Sequence, residues 1–197
     1  MTPRTGTYAK GLAKRAEILA VGLEVVAENG CRRATVREIA ARVGLTAAGV
    51  VHYFESREEL FQEILAARDD RDREIFEDKQ PRPIDGYLRL LEHNTRVRGL
   101  VQLYAEYSAE AAGWAEHPSR VFFQERFDQL RADLTAVVQA AQADGSIGRD
   151  FDVPAVVNLL IAAADGLQVQ WMLDHRIDMS AHVDQLWRLL APRTASE

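Results

Sequence analysis

The segment from Thr35 to Leu60, TVREIAARVGLTAAGVVHYFESREEL, constrains the fold more than any other part of this chain. Thr35 and Glu38 have the spacing of a capping box, which predicts that a helix begins at Thr35. Gly44 offers the left-handed conformation that closes a helix, and Thr46 can cap a second short helix. Two helices joined by a short turn containing glycine form a helix-turn-helix, whose second helix presents its N-terminal residues to DNA base edges.

The charge distribution supports a nucleic-acid partner for the N-terminal end. Residues 1–50 contain eight Lys and Arg against four Asp and Glu, a net charge of +4, whereas the whole chain of 197 residues carries −6. The rest of the chain therefore carries −10. Attraction to phosphate is expected at the end that contains the helix-turn-helix.

Composition restricts the other classes of function. We expect a cytoplasmic protein with no membrane partner, because there is neither an apolar run of about 18 residues nor a secretory signal. Cys31 is the single cysteine, which excludes an internal disulfide and argues against a cysteine-based zinc site. We expect no metal and no cofactor. The chain also contains no glycine-rich phosphate loop, no His-Glu-x-x-His and no nucleophile elbow, so we do not expect an enzyme.

Helical periodicity extends along the whole chain. The first helix is predicted at about 8–29, with Leu12, Ala16, Leu19, Leu23 and Val26 on its inner face. A second Ser-x-x-Glu signal at Ser56 predicts a connector helix to about residue 76. Further helices are predicted at about 84–97, 99–112, 118–143, 153–175 and 180–191. No segment alternates with a period of two for long enough to form a sheet, so the predicted fold is all-α with about nine helices.

The helix-turn-helix resembles the N-terminal DNA-binding domain of TetR-family transcriptional regulators. The resemblance is carried by Ile39-Ala40, Val43-Gly44-Leu45-Thr46, His52-Tyr53-Phe54 and Ser56-Arg57-Glu58-Glu59-Leu60. It continues more loosely through the second half, which is similar to the ligand-binding domain of an actinobacterial-type branch. One residue departs from the family pattern, because Val51 stands where a tyrosine is usual. The resemblance implies an N-terminal DNA-binding domain over 1–55 and a C-terminal ligand-binding and dimerisation domain over 56–197.

By this resemblance, the protein is a repressor that binds a palindromic double-stranded DNA operator as a homodimer and is released by a small-molecule effector. Thr46, Ala47 and Ala48 open the second helix and are predicted to face the bases, the threonine by hydrogen bond or methyl contact and the alanines by contact with thymine methyls. Predicted phosphate contacts complete the DNA-binding set, with base contact as a second candidate role of His52 and packing beneath the helix as the alternative for Tyr53: Thr35, Arg37, His52, Tyr53 and Arg57. The basic residues Arg4, Lys10, Lys14 and Arg15 are a further candidate for DNA contact, against the alternative of a solvated charged face.

The second half supplies candidates for an effector site and a dimer interface. Aromatic and polar residues on its apolar helices give the predicted ligand-binding set: Asn94, Tyr104, Tyr107, Phe123, Phe127, Asp165, Gln168 and Trp171. The segment from Pro154 to Trp171 is apolar nearly all round, so several sides of it must be covered. We expect the last two helices to pair with their copies in a homodimer. A monomer with a buried central helix is the alternative.

Two other readings of the whole chain remain open from the sequence. The first is a DNA-binding protein with the same helix-turn-helix that takes no effector. The second is a helical enzyme, for which Asp174, His175, Asp178 and His182 are the nearest approach to a metal site. Helix caps and solvated loop residues explain these four better than a metal site does.

Overall fold

The computed structural model describes residues 5–30, 34–77 and 81–192, with side chains from residue 9 and excluding those of 74–77. Cys31 and the candidate DNA contact Arg4 lie outside these residues. The described part of the chain is all-α, as predicted. Its helices are α1 (Thr5–Asn29), α2 (Val36–Arg42), α3 (Ala47–Val51), α4 (Arg57–Glu77), α5 (Asp85–Asn94), α6 (Arg98–Gly113), α7 (Arg120–Asp144), α8 (Val153–Leu173) and α9 (Met179–Arg188).

The chain forms two compact units. The first unit comprises Met1–Arg71 and Val97–Arg120, and the second comprises Asp72–Arg96 and Val121–Glu197. This packing division differs from the predicted boundary at residues 55 and 56, because most of α4 and all of α6 belong with the helix-turn-helix. The boundary predicted from the resemblance concerns function, and it stays a prediction.

Local capping defines the helix-turn-helix. The Thr35 hydroxyl accepts the Glu38 N–H at 3.2 Å, and the Thr46 hydroxyl accepts the Gly49 N–H at 3.0 Å. Gly44 has a φ of 68°, which places α2 in a Schellman-type ending, with the Leu45 N–H bonded to the Ala40 carbonyl at 2.8 Å. The reciprocal half of the predicted capping box does not form. The Glu38 carboxylate turns instead to the Asn29 amide, at 2.7 Å.

The inner face of α1 includes Val26, as predicted, but differs from the prediction in its N-terminal half. Ile18, Val25 and Val26 are fully buried, whereas Leu12 is 51% exposed and Ala16 is exposed. The reason is Gly22, where an added Cβ would lie 2.6 Å from Ile64 Cδ1 of α4. The missing side chain lets α4 approach α1 on this face, which rotates the buried stripe away from Leu12.

A second glycine brings α6 against the C-terminal end of α1. A Cβ added at Gly99 would lie 1.8 Å from the Val26 carbonyl oxygen, closer than any real contact. Gly30 then ends α1 with a φ of 73°. The first unit therefore holds α6 directly beside the end of α1, two helices that are distant in sequence.

The core of the second unit is formed by α5, α7, α8 and α9. Its fully buried side chains include Ile84, Leu134, Leu160 and Val183. Arg82 adds a polar tie between the start of α5 and α9, because its guanidinium bonds both Asp85 Oδ1, at 2.8 Å, and Asp184 Oδ1, at 2.7 Å.

Helix α8 is long and apolar enough to cross a membrane, by length and composition alone. It contains no uninterrupted apolar run of about 18 residues, because Asn158, Asp165 and Gln168 interrupt it. The core helix of a soluble protein passes the same test. The buried residues of α8 belong to the core of the second unit.

Candidate nucleic-acid interface

An open cleft of about 570 Å³ lies in the first unit, between the N-terminal ends of α2, α3 and α4. Its lining residues are Ala34, Thr35, Val36, Arg37, Ala47, Ala48, Val51 and Arg57. Five of the eight residues predicted to bind DNA lie in this set. Thr46 stands next to the cleft as the N-cap of α3. The structure therefore brings together residues that the sequence separates by up to 22 positions, from Thr35 to Arg57.

The two remaining predicted residues lie beyond the cleft, at the far end of α3. His52 is the exposed C-cap residue, and its ring meets the Tyr53 ring edge-on with centroids 6.1 Å apart. Tyr53 is half-buried, so its side chain is less available than that of His52. Phe54 is buried in the core.

Arg37 and Arg57 are exposed and make no ion pair with any residue that the structure describes. The Arg57 guanidinium lies 4.8 Å from the centroid of the Phe61 ring, which supports it without neutralising it. Arg42 is different, because it bonds the Glu28 carboxylate at 2.7 Å and the Glu38 carboxylate at 3.4 Å. The bond from Arg42 lowers the pKa of Glu28 below its ordinary value. The cleft therefore carries uncompensated positive charge from Arg37 and Arg57.

Two basic residues of α1 that were candidates for DNA contact are bound inside the first unit instead. Lys14 donates to the Val43 carbonyl oxygen at 2.7 Å, at the end of α2. Arg15 donates to the Tyr53 carbonyl oxygen, to Glu59 at 3.2 Å and to Glu63. These contacts hold the ends of α2 and α3, so Lys14 and Arg15 position the helix-turn-helix and do not extend from it.

Arg15 also lies over the Phe54 ring, 4.3 Å from its centroid. Its partner Glu59 accepts the Glu55 N–H at 2.5 Å, and the Ser56 hydroxyl accepts the Glu59 N–H at 3.0 Å. The predicted capping signal at Ser56 therefore forms, and Arg15 connects it to α1. Sequence reasoning missed this link, because nothing local to Arg15 identifies partners 38 to 48 positions away.

The cleft includes three residues that were not predicted to bind DNA: Ala34, Val36 and Val51. Val51 is 38% exposed, although it is the position where the chain departs from the usual tyrosine. The available sequence signal was the helical spacing of Val51 from Ala47 and Ala48, four and three residues apart, which puts all three on one face of α3.

The predicted ligand-binding residues divide between the two units. Tyr104 and Tyr107 lie on α6 in the first unit, where the Tyr107 ring packs 5.9 Å from Phe61. The second unit contains the other six, which are Asn94, Phe123, Phe127, Asp165, Gln168 and Trp171. Among these six, Asp165 and Gln168 are directly joined, with Gln168 Nε2 bonding Asp165 Oδ1 at 3.2 Å.

Asn94 is the most informative of these residues. It is 6% exposed near the end of α5, and its side-chain oxygen has no hydrogen-bond partner among the described residues. A buried carbonyl oxygen without a donor costs about 1–3 kcal/mol, so such a group needs an explanation.

Asp174 and Asp178, part of the suggested metal group, act locally instead. Asp174 binds Arg176 at 2.8 Å, and Asp178 caps α9 by accepting the Ala181 N–H at 2.9 Å.

The fold and the cleft define a class of protein. An all-α chain whose helix-turn-helix exposes small residues between unpaired arginines is a helix-turn-helix DNA-binding protein.

Comparison with known proteins identifies the family. Residues 18–64 match the family described as bacterial regulatory proteins, tetR family. Over 188 residues the chain is 28% identical to the transcriptional repressor KstR2 of Rhodococcus jostii, covering 87% of this chain and 86% of that repressor. It is 26% identical to KstR2 of Mycolicibacterium smegmatis, covering 84% of this chain and 82% of that repressor. A TetR-family regulator from Agrobacterium tumefaciens has the same fold, with a TM-score of 0.72, 18% identity and coverage of 92% and 100%. Residues 18–64 therefore form a TetR-family DNA-binding domain, and over most of its length the chain is similar to TetR-family transcriptional regulators. These relatives are regulators, and none of the three is described as an enzyme.

Proposed function

We propose that this protein is a homodimeric repressor that binds an inverted-repeat operator in the cytoplasm and is released from it by a small molecule. The observation that carries the DNA-binding part is the cleft, where Arg37 and Arg57 keep their charge free beside the small residues Ala47 and Ala48. The arginines hold phosphates on the operator backbone, because free guanidinium groups replace condensed counterions. The small residues let the backbone of α3 come close to base edges.

Homodimerisation is supported by the exposed face of α8. Six residues on it follow alternating spacings of four and three, which is the pattern of a helix-pairing seam: Ala155, Leu159, Ala162, Gly166, Val169 and Leu173. All six are exposed in the single chain, and Leu159 and Leu173 are 61% and 85% exposed. We call these six residues the α8 stripe.

A second copy of the chain is the occupant that the α8 stripe fits best. The large residues Leu159 and Leu173 flank the small pair Ala162 and Gly166, so two such helices can cross closely at the small residues. Leu189, the C-cap residue of α9, is also 69% exposed, which extends the apolar surface to the last helix. We call α3 the reading helix, because it presents its exposed residues to the bases. A two-fold dimer places its two reading helices on successive major-groove turns, about 34–36 Å apart.

Release by a small molecule is supported by the buried polar residues of the second unit. The side-chain oxygen of Asn94 can accept a hydrogen bond from a ligand, since no described residue donates to it. The effector must bind the DNA-free arrangement of the dimer's two helix-turn-helix segments more tightly than the DNA-bound arrangement. DNA must then weaken effector binding by the same factor, and a coupling of roughly 1–3 kcal/mol changes affinity by about 5 to 150-fold.

The experiment is selection of bound fragments from random and genomic DNA by the purified protein at a fixed salt concentration, followed by footprinting. We expect a protected inverted repeat, and the genes beside it indicate which compounds to test for release. The test variant is Ala48→Glu, which puts a carboxylate on the exposed face of α3 and should abolish selection. Ala132→Glu makes the same change at an exposed site on α7 and should leave selection intact.

The outcomes test DNA binding, dimerisation and effector release separately. Failure of the folded protein to enrich any sequence would reject the DNA-binding proposal. Enrichment of a single half-site would reject the dimer. A footprint that no compound releases, with Asn94→Leu raising stability, would favour the alternative of a DNA-binding protein without an effector, because the buried oxygen would then serve no ligand.

A further inference from the structure

We propose that this repressor reads its operator chiefly through the 5-methyl groups of thymine, with each half-site carrying thymines opposite the middle turn of α3. This inference rests on the proposed function and specifies the chemistry of the DNA that the same cleft accepts. It predicts that the methyl group itself, rather than a purine hydrogen bond, decides which sequence is bound.

The first observation is the content of the reading helix. Between its caps, α3 consists of AAGVV, and Val50 of this segment is fully buried in the core. The groups left to meet bases are the methyls of Ala47, Ala48 and Val51 and the Gly49 backbone. None of these side chains has a hydrogen-bonding atom. The thymine methyl is the one apolar group that the four bases present in the major groove, so it is the complement of this surface.

The second observation concerns the polar residues at the two ends of α3. The Thr46 hydroxyl already accepts the Gly49 N–H at 3.0 Å, which orients the side chain as a cap and leaves it one proton to donate and one lone pair to accept with. His52 is the C-cap residue, and it is not among the residues that line the cleft. The long side chains that read guanine or adenine by two hydrogen bonds, such as Arg, Lys, Asn and Gln, are missing from the whole segment 46–53.

The third observation is the position of the free charges. Arg37 and Arg57 line the same cleft as Ala47, Ala48 and Val51, but they belong to the starts of α2 and α4. Contacts from these elements reach the phosphate backbone, which provides affinity without sequence information. Discrimination between sequences is then left to the apolar surface of α3.

The test compares two random DNA pools, one made with thymidine and one made with deoxyuridine, which pairs identically but lacks the 5-methyl group. We expect an inverted repeat to be enriched from the thymidine pool. Replacing thymine by uracil at single positions of this operator should raise Kd about fourfold for each methyl read, following roughly 0.8 kcal/mol per methyl. Two symmetric positions together should give about 15-fold. Uracil placed outside the protected bases is the control and should change nothing.

A variant connects the effect to the protein surface. Val51→Thr keeps the shape of the side chain but replaces a methyl by a hydroxyl, and Val51 is exposed enough that the fold should be retained, as a melting curve will check. We expect this variant to bind the thymine operator more weakly and to show a smaller thymine-to-uracil ratio than the wild type.

The outcomes separate this inference from the proposed function. Enrichment of the same repeat from both pools with equal affinity would overturn the methyl readout and leave the repressor standing. A loss of tenfold or more on replacing guanine by 7-deazaguanine within the half-site, with uracil tolerated, would assign the reading to hydrogen bonds from Thr46 or His52. Enrichment of no sequence from either pool would overturn both proposals.

Discussion

The protein exposes two apolar surfaces of opposite character. The reading face of α3 is made of small side chains, and unpaired arginines line the same cleft. The α8 stripe contains large side chains, including Leu159 and Leu173, and all six of its residues are uncharged. The first surface suits a polyanion that carries isolated methyl groups, and the second suits another apolar helix. Exposed apolar residues therefore indicate a partner only when the charges beside them are considered.

The largest effect is expected from a charge placed in the α8 stripe. By two-fold symmetry, Leu159→Glu introduces two carboxylates into one interface, and an uncompensated buried charge costs about 3–5 kcal/mol. We expect a dimer dissociation constant at least 100-fold higher, measured by sedimentation equilibrium.

Ala132→Glu on α7 is the matched control for this charge, and it should leave the dimer intact. If Leu159→Glu sediments as the wild type does, the α8 stripe does not face a second copy. Its exposed apolar residues would then not indicate an apolar helix as the partner.

The next effect concerns the free arginines of the reading face. Arg57→Ala should weaken binding to every DNA sequence and flatten the dependence of log K on log salt. The expected change in slope is about 0.9 for each phosphate contact, hence about 2 for a dimer that loses one contact in each copy. The measurement is a salt titration of operator affinity, and Arg37→Ala should behave in the same way.

Arg42→Ala removes an arginine of the same unit whose charge Glu28 and Glu38 already neutralise. The salt slope should stay at the wild-type value in this variant. Equal slopes for Arg57→Ala and Arg42→Ala would mean that ion pairing within the chain does not decide which arginine meets phosphate.

Much of the first unit follows from short-range signals in the sequence. Thr35, Thr46 and Ser56 are caps where they were predicted, and the three helices that they cap begin within one residue of the expected positions. This success has a physical reason, because a capping hydrogen bond joins residues only three positions apart. Gly44 could be assigned for the same reason, since its positive φ closes a turn between neighbouring helices.

The parts that could not be predicted depend on how distant helices cross. The inner face of α1 is set by Gly22 against Ile64, and the close approach of α6 is set by Gly99 against Val26. Hydrophobic periodicity predicts that a helix has an apolar face. It does not predict which neighbouring helix packs closely against a glycine on that face. The same limit explains why Arg15 was taken as a candidate for DNA contact.

Removing Arg15 tests the difference between positioning and contact. Arg15→Gln breaks the bonds to the Tyr53 carbonyl oxygen and to Glu59 and Glu63, all partly exposed, so we expect a loss of roughly 1 kcal/mol in the free energy of unfolding by urea. Operator affinity should fall because the end of α3 is less well held. The salt slope should not change, in contrast to Arg57→Ala, and a flattened slope would return Arg15 to the phosphate contacts.

The smallest effect is expected at Gly166, in the middle of the α8 stripe. A Cβ there meets nothing within 4 Å in the single chain, and alanine is the better helix former by about 1 kcal/mol. Gly166→Ala should therefore stabilise the isolated fold, measured by urea unfolding in the Leu159→Glu background where the dimer is absent. In the wild-type background the added methyl should instead weaken the dimer by about 1 kcal/mol, because two helices that cross closely at Ala162 and Gly166 leave no room for it. Opposite signs in the two backgrounds would locate the crossing point. Stabilisation in both would mean that the helices meet nearer the large residues of the stripe, with Gly166 open to solvent in the dimer as it is in the monomer.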